Sequence, residues 1–384
     1  MAYPTDVTKP RFGFEAFAEN DPESQLAQAA FLLLLGRELK RRPPRARLAA
    51  PGRPYPSDEG SNEDEEPDED IVQFGIPRIV RTGQRFRFRD ASRLGFAIPE
   101  KGVESNARLW EMTRECARRL QENPQDSVAA ALLHLCAVRT EPVVSVAAAA
   151  AAFEVTADPE PLISILAEGT TSDDELVRDL AGTALARIDP RHEALLRLDR
   201  GSERGGASGK THTSLLVHGT WARNDSWWQP GGSLHAYLLP VILPDLYAGA
   251  DRFDWSGGYS DAARLIGAND LQLWLTNRSV INPLLMGHSH GANVVLLASQ
   301  LGVGMREAVL LSCPVHWTKY SPNFSIVTKV VSVRVHLDLV ILADGGGQRF
   351  NHPQIQENVL PVWFNHAATH DAAIWQKYGV SAML

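Results

Sequence analysis

Hydrophobic positions follow two different rhythms along this chain. Before about residue 200 they recur every three or four residues. Leu109, Met112, Cys116 and Leu120 mark one such face, and the stretches 26–39, 128–138, 143–155, 161–167 and 175–188 carry others. That period predicts helices with one apolar stripe each. Beyond residue 212 the rhythm changes. Short apolar runs at 214–217, 252–255, 280–286, 308–311, 330–335 and 359–364 alternate with helical patterns at 234–242, 261–275 and 294–301. Runs of that length separated by helices predict a parallel sheet with helices on both faces, an α/β class. Functional groups in such sheets gather at the carboxyl ends of the strands.

The intervals between these patterns divide the chain. Residues 1–100 read as an arm with one short helix (26–39), a basic cluster around Lys40, Arg41, Arg42, Arg45 and Arg47, and a Pro-, Gly- and acid-rich stretch at 51–70. That stretch lacks the apolar surface to offset its ordering entropy and is expected to be disordered. Residues 71–100 look extended. Residues 101–200 form a helical domain, 201–211 a Gly- and Ser-rich linker, and 212–384 the α/β domain. The Gly209-Lys210-Thr211 sequence within the linker invites a phosphate-loop reading. That motif requires glycine at position 204, which is Arg204, and a preceding strand that is absent.

A weak internal repeat runs through the helical part. At an offset of 31, Asp158 falls on Asp189, Pro159 on Pro190, Ala150 on Ala181 and Val146 on Val177. The segment 174–190 resembles a HEAT-type repeat, which implies stacked helix pairs and a possible protein partner. An Ala-rich helical bundle fits the same residues equally well.

Charge and cysteine content narrow the partners. The formal net charge is −8, yet nine carboxylates lie between Asp58 and Asp70 without a basic residue, so the rest is nearly neutral. No nucleic-acid partner is expected. The apolar helix beside the basic cluster has a membrane-surface composition, but one short helix binds weakly, and docking against protein is the favoured reading. Cys116, Cys136 and Cys313 have no paired or zinc-like spacing, and no leader-like N-terminus precedes them. Both features suit reduced thiols in a cytoplasmic protein.

The chemistry concentrates at Gly287-His288-Ser289-His290-Gly291, between an apolar strand and a helix. A turn this tight strains the serine backbone and admits only small residues two positions to either side. Upstream, a strand ends in His218-Gly219-Thr220-Trp221. Downstream, Asp338 follows one strand, and His366 and His370 follow the last. In this order the domain resembles the α/β-hydrolase superfamily of lipases and esterases, whose triad runs serine, acid, histidine. Ala292 stands where many lipases have a further glycine, which should tighten packing on the preceding strand.

The resemblance implies an acyl-transferring serine hydrolase acting on a small ester or lipid without a cofactor. Ser289 is the nucleophile, Asp338 the acid and His370 the base, with Asp344 and His366 as alternatives. Asp344 precedes three glycines, as a plain turn would. His366 directly follows the strand, whereas His370 opens the helix containing Trp375. The amides of Thr220 and His290 would hold the oxyanion. His218, Gly219, Trp221 and His288 belong to the pocket region, His218 holding its loop by a side-chain hydrogen bond. Trp221, Trp227 and Trp228 either line an acyl pocket or cap the sheet. His366 and His370 have zinc spacing, but Ala367 stands where a metalloprotease needs glutamate, so no metal is expected. Two other readings stay open: an interaction protein with an inert hydrolase fold, and an amide or peptide hydrolase using the same triad.

Overall fold

The structure, a computed structural model, describes residues 3–8, 21–40, 106–122, 127–156, 159–198, 213–249 and 251–384. The acidic stretch 51–70, the segment 71–100, the linker 201–211 and most of the basic cluster lie outside the described residues. Twelve α-helices and one five-stranded parallel sheet are formed among them. No helix among the described residues is long and apolar enough to cross a membrane.

The helical part begins earlier than the chain pattern suggested. Helix α1 (Pro22–Lys40) packs on α4 (Pro142–Phe153), so it joins the layer made by α2 (Asn106–Glu122), α3 (Ser127–Arg139), α5 (Glu160–Gly169), α6 (Glu175–Ile188) and α7 (Glu193–Leu198). Local chemistry starts these helices where the chain asks for it. Asp174 caps α6, its carboxylate accepting from the amides of Leu176 and Val177, and a proline opens α4 and α5. Of the residues matched by the 31-residue offset, Val146 and Ala181 meet at Gly169. A Cβ there would come within 2.9 and 2.7 Å of their side chains.

In the second part the strands lie in chain order. They are β1 (Ser214–Val217), β2 (Leu284–His288), β3 (Glu307–Leu311), β4 (Val330–His336) and β5 (Ile355–Trp363). Every position of β1 and β2 is buried, as expected of parallel strands covered on both faces. Helices α8 (Ser233–Val241), α9 (Asp261–Asn277), α10 (His290–Gln300), α11 (Leu339–Asp344) and α12 (Ala372–Tyr378) complete the layers. Because all strands are parallel, the residues following β1, β2, β4 and β5 emerge at one edge.

One expected strand is absent. Residues 252–255 alternate in burial like a strand, with Phe253 and Trp255 buried, but form no ladder. The outer edge of β1 instead meets Leu246 through a single bridge at Ser214. The indole of Trp255 donates to the carbonyl of His218 at 2.8 Å, so the segment braces a loop rather than extending the sheet.

The helical layer and the sheet share apolar packing. Helices α1 and α6 both rest on α11, and Leu337, Leu339, Leu342 and Phe364 belong to the same buried cluster as Leu32, Leu180 and Leu185. Arg187 of α6 adds a hydrogen bond to the Ala343 carbonyl at 2.5 Å. The three cysteines are buried free thiols. Truncation of Leu342, 1% exposed in this shared core, is expected to cost about 2–5 kcal/mol. Far-UV circular dichroism and tryptophan fluorescence should follow one common unfolding transition. Two separable transitions would mean that the layers fold independently.

Candidate active site

The turn after β2 has the shape its glycines require. Ser289 sits at φ 52° and ψ −132°, a conformation that costs a non-glycine residue free energy. A Cβ at Gly287 would lie 2.5 Å from the Cα of Ala292, and one at Gly291 only 2.3 Å from the His218 carbonyl oxygen. Ala292 therefore packs its backbone directly on the strand, as its position implied. Ser289 is anchored by its own amide, which donates to Leu311 at 2.8 Å. The next residue, His290, opens α10, where backbone amides lack acceptors within the helix. Gly219 lies against the serine, since a Cβ on it would meet the Ser289 Cβ at 3.0 Å. That contact brings the loop carrying Thr220 alongside the hydroxyl.

Asp338 follows β4 and caps α11. One carboxylate oxygen accepts from the amides of Val340 and Ile341, and the other accepts from Nδ1 of His366 at 2.8 Å. Gln348 fixes the Asp338 backbone from both sides: its side-chain oxygen accepts the Asp338 amide at 2.9 Å, and its amide nitrogen donates to the Asp338 carbonyl at 3.2 Å. His366 is buried, and its Nε2 has no partner. Burial opposes charging of His366, but attraction and hydrogen bonding from Asp338, aided by Asp179 and Glu175, outweigh it and raise its pKa.

The preferred histidine of the sequence reading is corrected here: His370 does not meet Asp338. Its ring stacks on Trp227 at 4.5 Å, and its Nε2 lies 3.7 Å from Glu175, beyond hydrogen-bond distance. Burial, then the nearby His366, depress its pKa to about 3, so it stays neutral. The reason is geometric. His366 follows β5 within three residues, on the same edge as Asp338, while His370 is one short helical turn further and is drawn under the indole. No group of three or more metal-ligating side chains occurs among the described residues.

Asp344 has another occupation. It is a buried hub that accepts from His290 Nε2 at 3.1 Å, His316 Nε2 at 2.6 Å and the Tyr259 hydroxyl at 2.6 Å. Burial disfavours its charge, yet His290 and His316 hold the carboxyl well below its usual range. Burial, then Arg264, depress His290 to about 4 despite that partner. With Nε2 donating to Asp344 and Nδ1 taken by Asn293 at 2.9 Å, neither nitrogen of His290 is free. Asp344 thus steadies the residue whose amide follows the nucleophile.

A cavity of about 360 Å³ opens over Ser289 and His366, and Gly219, Thr220, Trp221 and His288 line it as expected. His218 does not. It is fully buried beneath the loop, with Nδ1 donating to the Gly219 carbonyl at 2.8 Å and its ring between Trp228 and Trp255. The tryptophans divide between their two expected roles. Trp221 and Trp227 face the cavity, while Trp228 is buried in the core with its indole on the Ala222 carbonyl.

The wall opposite comes from the helical layer, which the sequence reading did not place here. Glu175, Arg178, Asp179 and Thr183 of α6 all line the cavity. Their three- and four-residue spacing was a legible polar stripe, but nothing in the chain said which surface it faced. Gly182 lets α6 approach, since a Cβ there would be 2.7 Å from the Trp221 ring. Comparison with known proteins yields no relative. No family model, curated protein or solved structure matches this chain.

Three substitutions test this construction. Gly291→Ala should destabilise the fold by about 1–3 kcal/mol, because its methyl would collide with rigid backbone. Asp344→Ala should cost about 1–3 kcal/mol for each buried donor it orphans, and Tyr259→Phe less. Chemical denaturation reads all three. Stability unchanged in Asp344→Ala would show that the hub carries no weight.

Proposed function

We propose that this protein is a serine hydrolase of the α/β-hydrolase type, acting on carboxylic esters through Ser289, His366 and Asp338. One observation carries the reading: His366 is bound to a buried carboxylate through Nδ1, its Nε2 has no partner, and it lines the same cavity as Ser289. A neutral serine hydroxyl is a weak nucleophile, so it needs such a base. In the proposed cycle His366 takes the proton as Ser289 Oγ attacks the carbonyl. The amides of His290 and Thr220 receive the oxyanion, and His366 then protonates the leaving alcohol. Water enters by the same route and releases the acid. Asp338 holds the imidazole in the Nδ1–H tautomer and stabilises its charged form.

The strand order supports the fold assignment. Nucleophile, acid and base follow β2, β4 and β5, and the glycine loop follows β1, all at the carboxyl edge. In this reading the helical layer roofs the active site and is not a remote docking module. The buried free thiols suit a cytoplasmic location.

A fluorophosphonate probe should label the wild type and not Ser289→Ala. Absence of both labelling and turnover of p-nitrophenyl esters would overturn the proposal and leave the interaction-protein reading. Between the histidines, His366→Ala should lower kcat by roughly 10⁶-fold, as loss of a triad histidine does, and His370→Ala by much less. The reverse order would transfer the base to His370.

The pH profile carries a sign. His366 works as a base only when neutral, and its pKa is raised, so activity should appear above that raised value. Asp338→Asn removes the attraction that raises it. The acid limb should therefore move to lower pH, with kcat reduced by roughly 10⁴-fold. A limb that stays in place would separate Asp338 from the titrating base.

A further inference from the structure

The cavity that holds the proposed triad is walled on one side by carboxylates that the reaction does not use. Glu175 and Asp179 project from α6, and Asp225 projects from the loop after β1. Of the two cations in the same wall, Arg197 lies 3.5 Å from Glu193, and Arg178 donates to the Ser172 carbonyl at 3.3 Å while its charge also attracts Glu175, Asp179 and Asp225. Trp221 and Trp227 supply indole surface, which favours ammonium groups over anions. The buried His366, whose Nε2 has no partner, lines the same cavity and is the group that marks the space as a ligand site.

We propose that this wall selects the substrate, and that the protein prefers esters carrying a cationic ammonium group over neutral or anionic ones. The proposal rests on the hydrolase reading and names the substrate class for that same site. Three carboxylates lining one cavity repel one another, and an ammonium group seated among them relieves that repulsion. A carboxylate or phosphate in the same place would add to it. A nearby carboxylate group discriminates by charge without needing hydrogen-bond geometry, so a quaternary ammonium fits as well as a primary one.

The carboxylates show the strain that such a ligand would relieve. Burial raises the pKa of Glu175 and Asp225, and burial followed by repulsion from Glu175 pushes Asp179 up to about 7. Charged neighbours from both sides bear on Asp179. Arg178 and His366 favour its ionised form, while Glu175 and Asp225 oppose it. A carboxyl raised in this way is neutral below that value and charged above it. The preference for a cation therefore grows as pH rises through about 7.

The test uses matched esters and the full-length protein. One pair is butyrylthiocholine and its carbon isostere, in which tert-butyl replaces trimethylammonium. The other is the p-nitrophenyl ester of γ-trimethylammoniobutyric acid and its tert-butyl counterpart. The first pair places the charge on the alcohol side and the second on the acyl side. In at least one pair the ratio of kcat/KM, cation over isostere, should exceed about tenfold at low ionic strength and fall with added salt. It should rise through neutral pH. His366 titrates equally for both members of a pair and cancels from the ratio. Asp179→Asn and Glu175→Gln should each reduce the ratio, and the wild-type pH and salt profiles serve as the test if either variant misfolds. Fluorophosphonate labelling of Ser289 with no preference for the cation in either pair would overturn this inference and leave the hydrolase reading standing. No labelling and no turnover of any of the four esters would remove both.

Discussion

One buried carboxylate ties the candidate site to the fold. Asp338 spends one oxygen on the first amides of α11 and the other on His366. The helix cap fixes where the carboxylate points, and the carboxylate fixes the imidazole. Gln348 then clamps the backbone of Asp338 itself. Each link is ordinary in strength, but in a dry interior they restrict one another to a single arrangement. The Nε2 of His366 is left without a partner, in a residue that lines the cavity.

Strain gathers at the same edge of the sheet. Ser289, Ser312, Leu337 and Phe364 follow β2, β3, β4 and β5, and all have positive φ, as does Trp221 in the loop after β1. Non-glycine residues adopt that conformation only where the surroundings over-determine it. Here the surroundings are the rigid parallel sheet beneath and the helical layer above. The sheet turns each chain exit sharply, so that residues far apart in sequence reach one cavity. Asp344 contributes from the side by tying His290, His316 and Tyr259 to a common acceptor.

The helical layer is joined to the rest by apolar packing along α1, α6 and α11. That packing also gives α6 its part in the cavity. A helix whose one face lies on the core can offer the adjoining stripe to a ligand, and α6 does so with Glu175, Arg178 and Asp179. Gly182, flush against the Trp221 ring, sets how closely that stripe approaches the loop after β1.

Much of this was readable in the chain because it depends on local chemistry. Apolar periods located nine of the twelve described helices and all five strands, since burial of a stripe or a run leaves its spacing in the sequence. The serine turn was legible for the same reason. Gly287 and Gly291 are demanded by contacts within a few residues or with the adjoining strand. What the chain withheld were choices between near-equivalent partners. His366 and His370 differ by one short turn, and only the three-dimensional exit of β5 places the first beside Asp338. Asp338 and Asp344 bracket one helix, and only packing makes the first a partner of His366 and the second a hub for His290. Residues 252–255 have the alternation of a strand, but Trp255 hydrogen-bonds a loop instead. The sequence by itself determined the element types, the parallel sheet and the serine turn, all set by neighbours along the chain. Tertiary structure alone decided which imidazole meets the carboxylate and that α6 forms the opposite wall, because both depend on how separate elements pack.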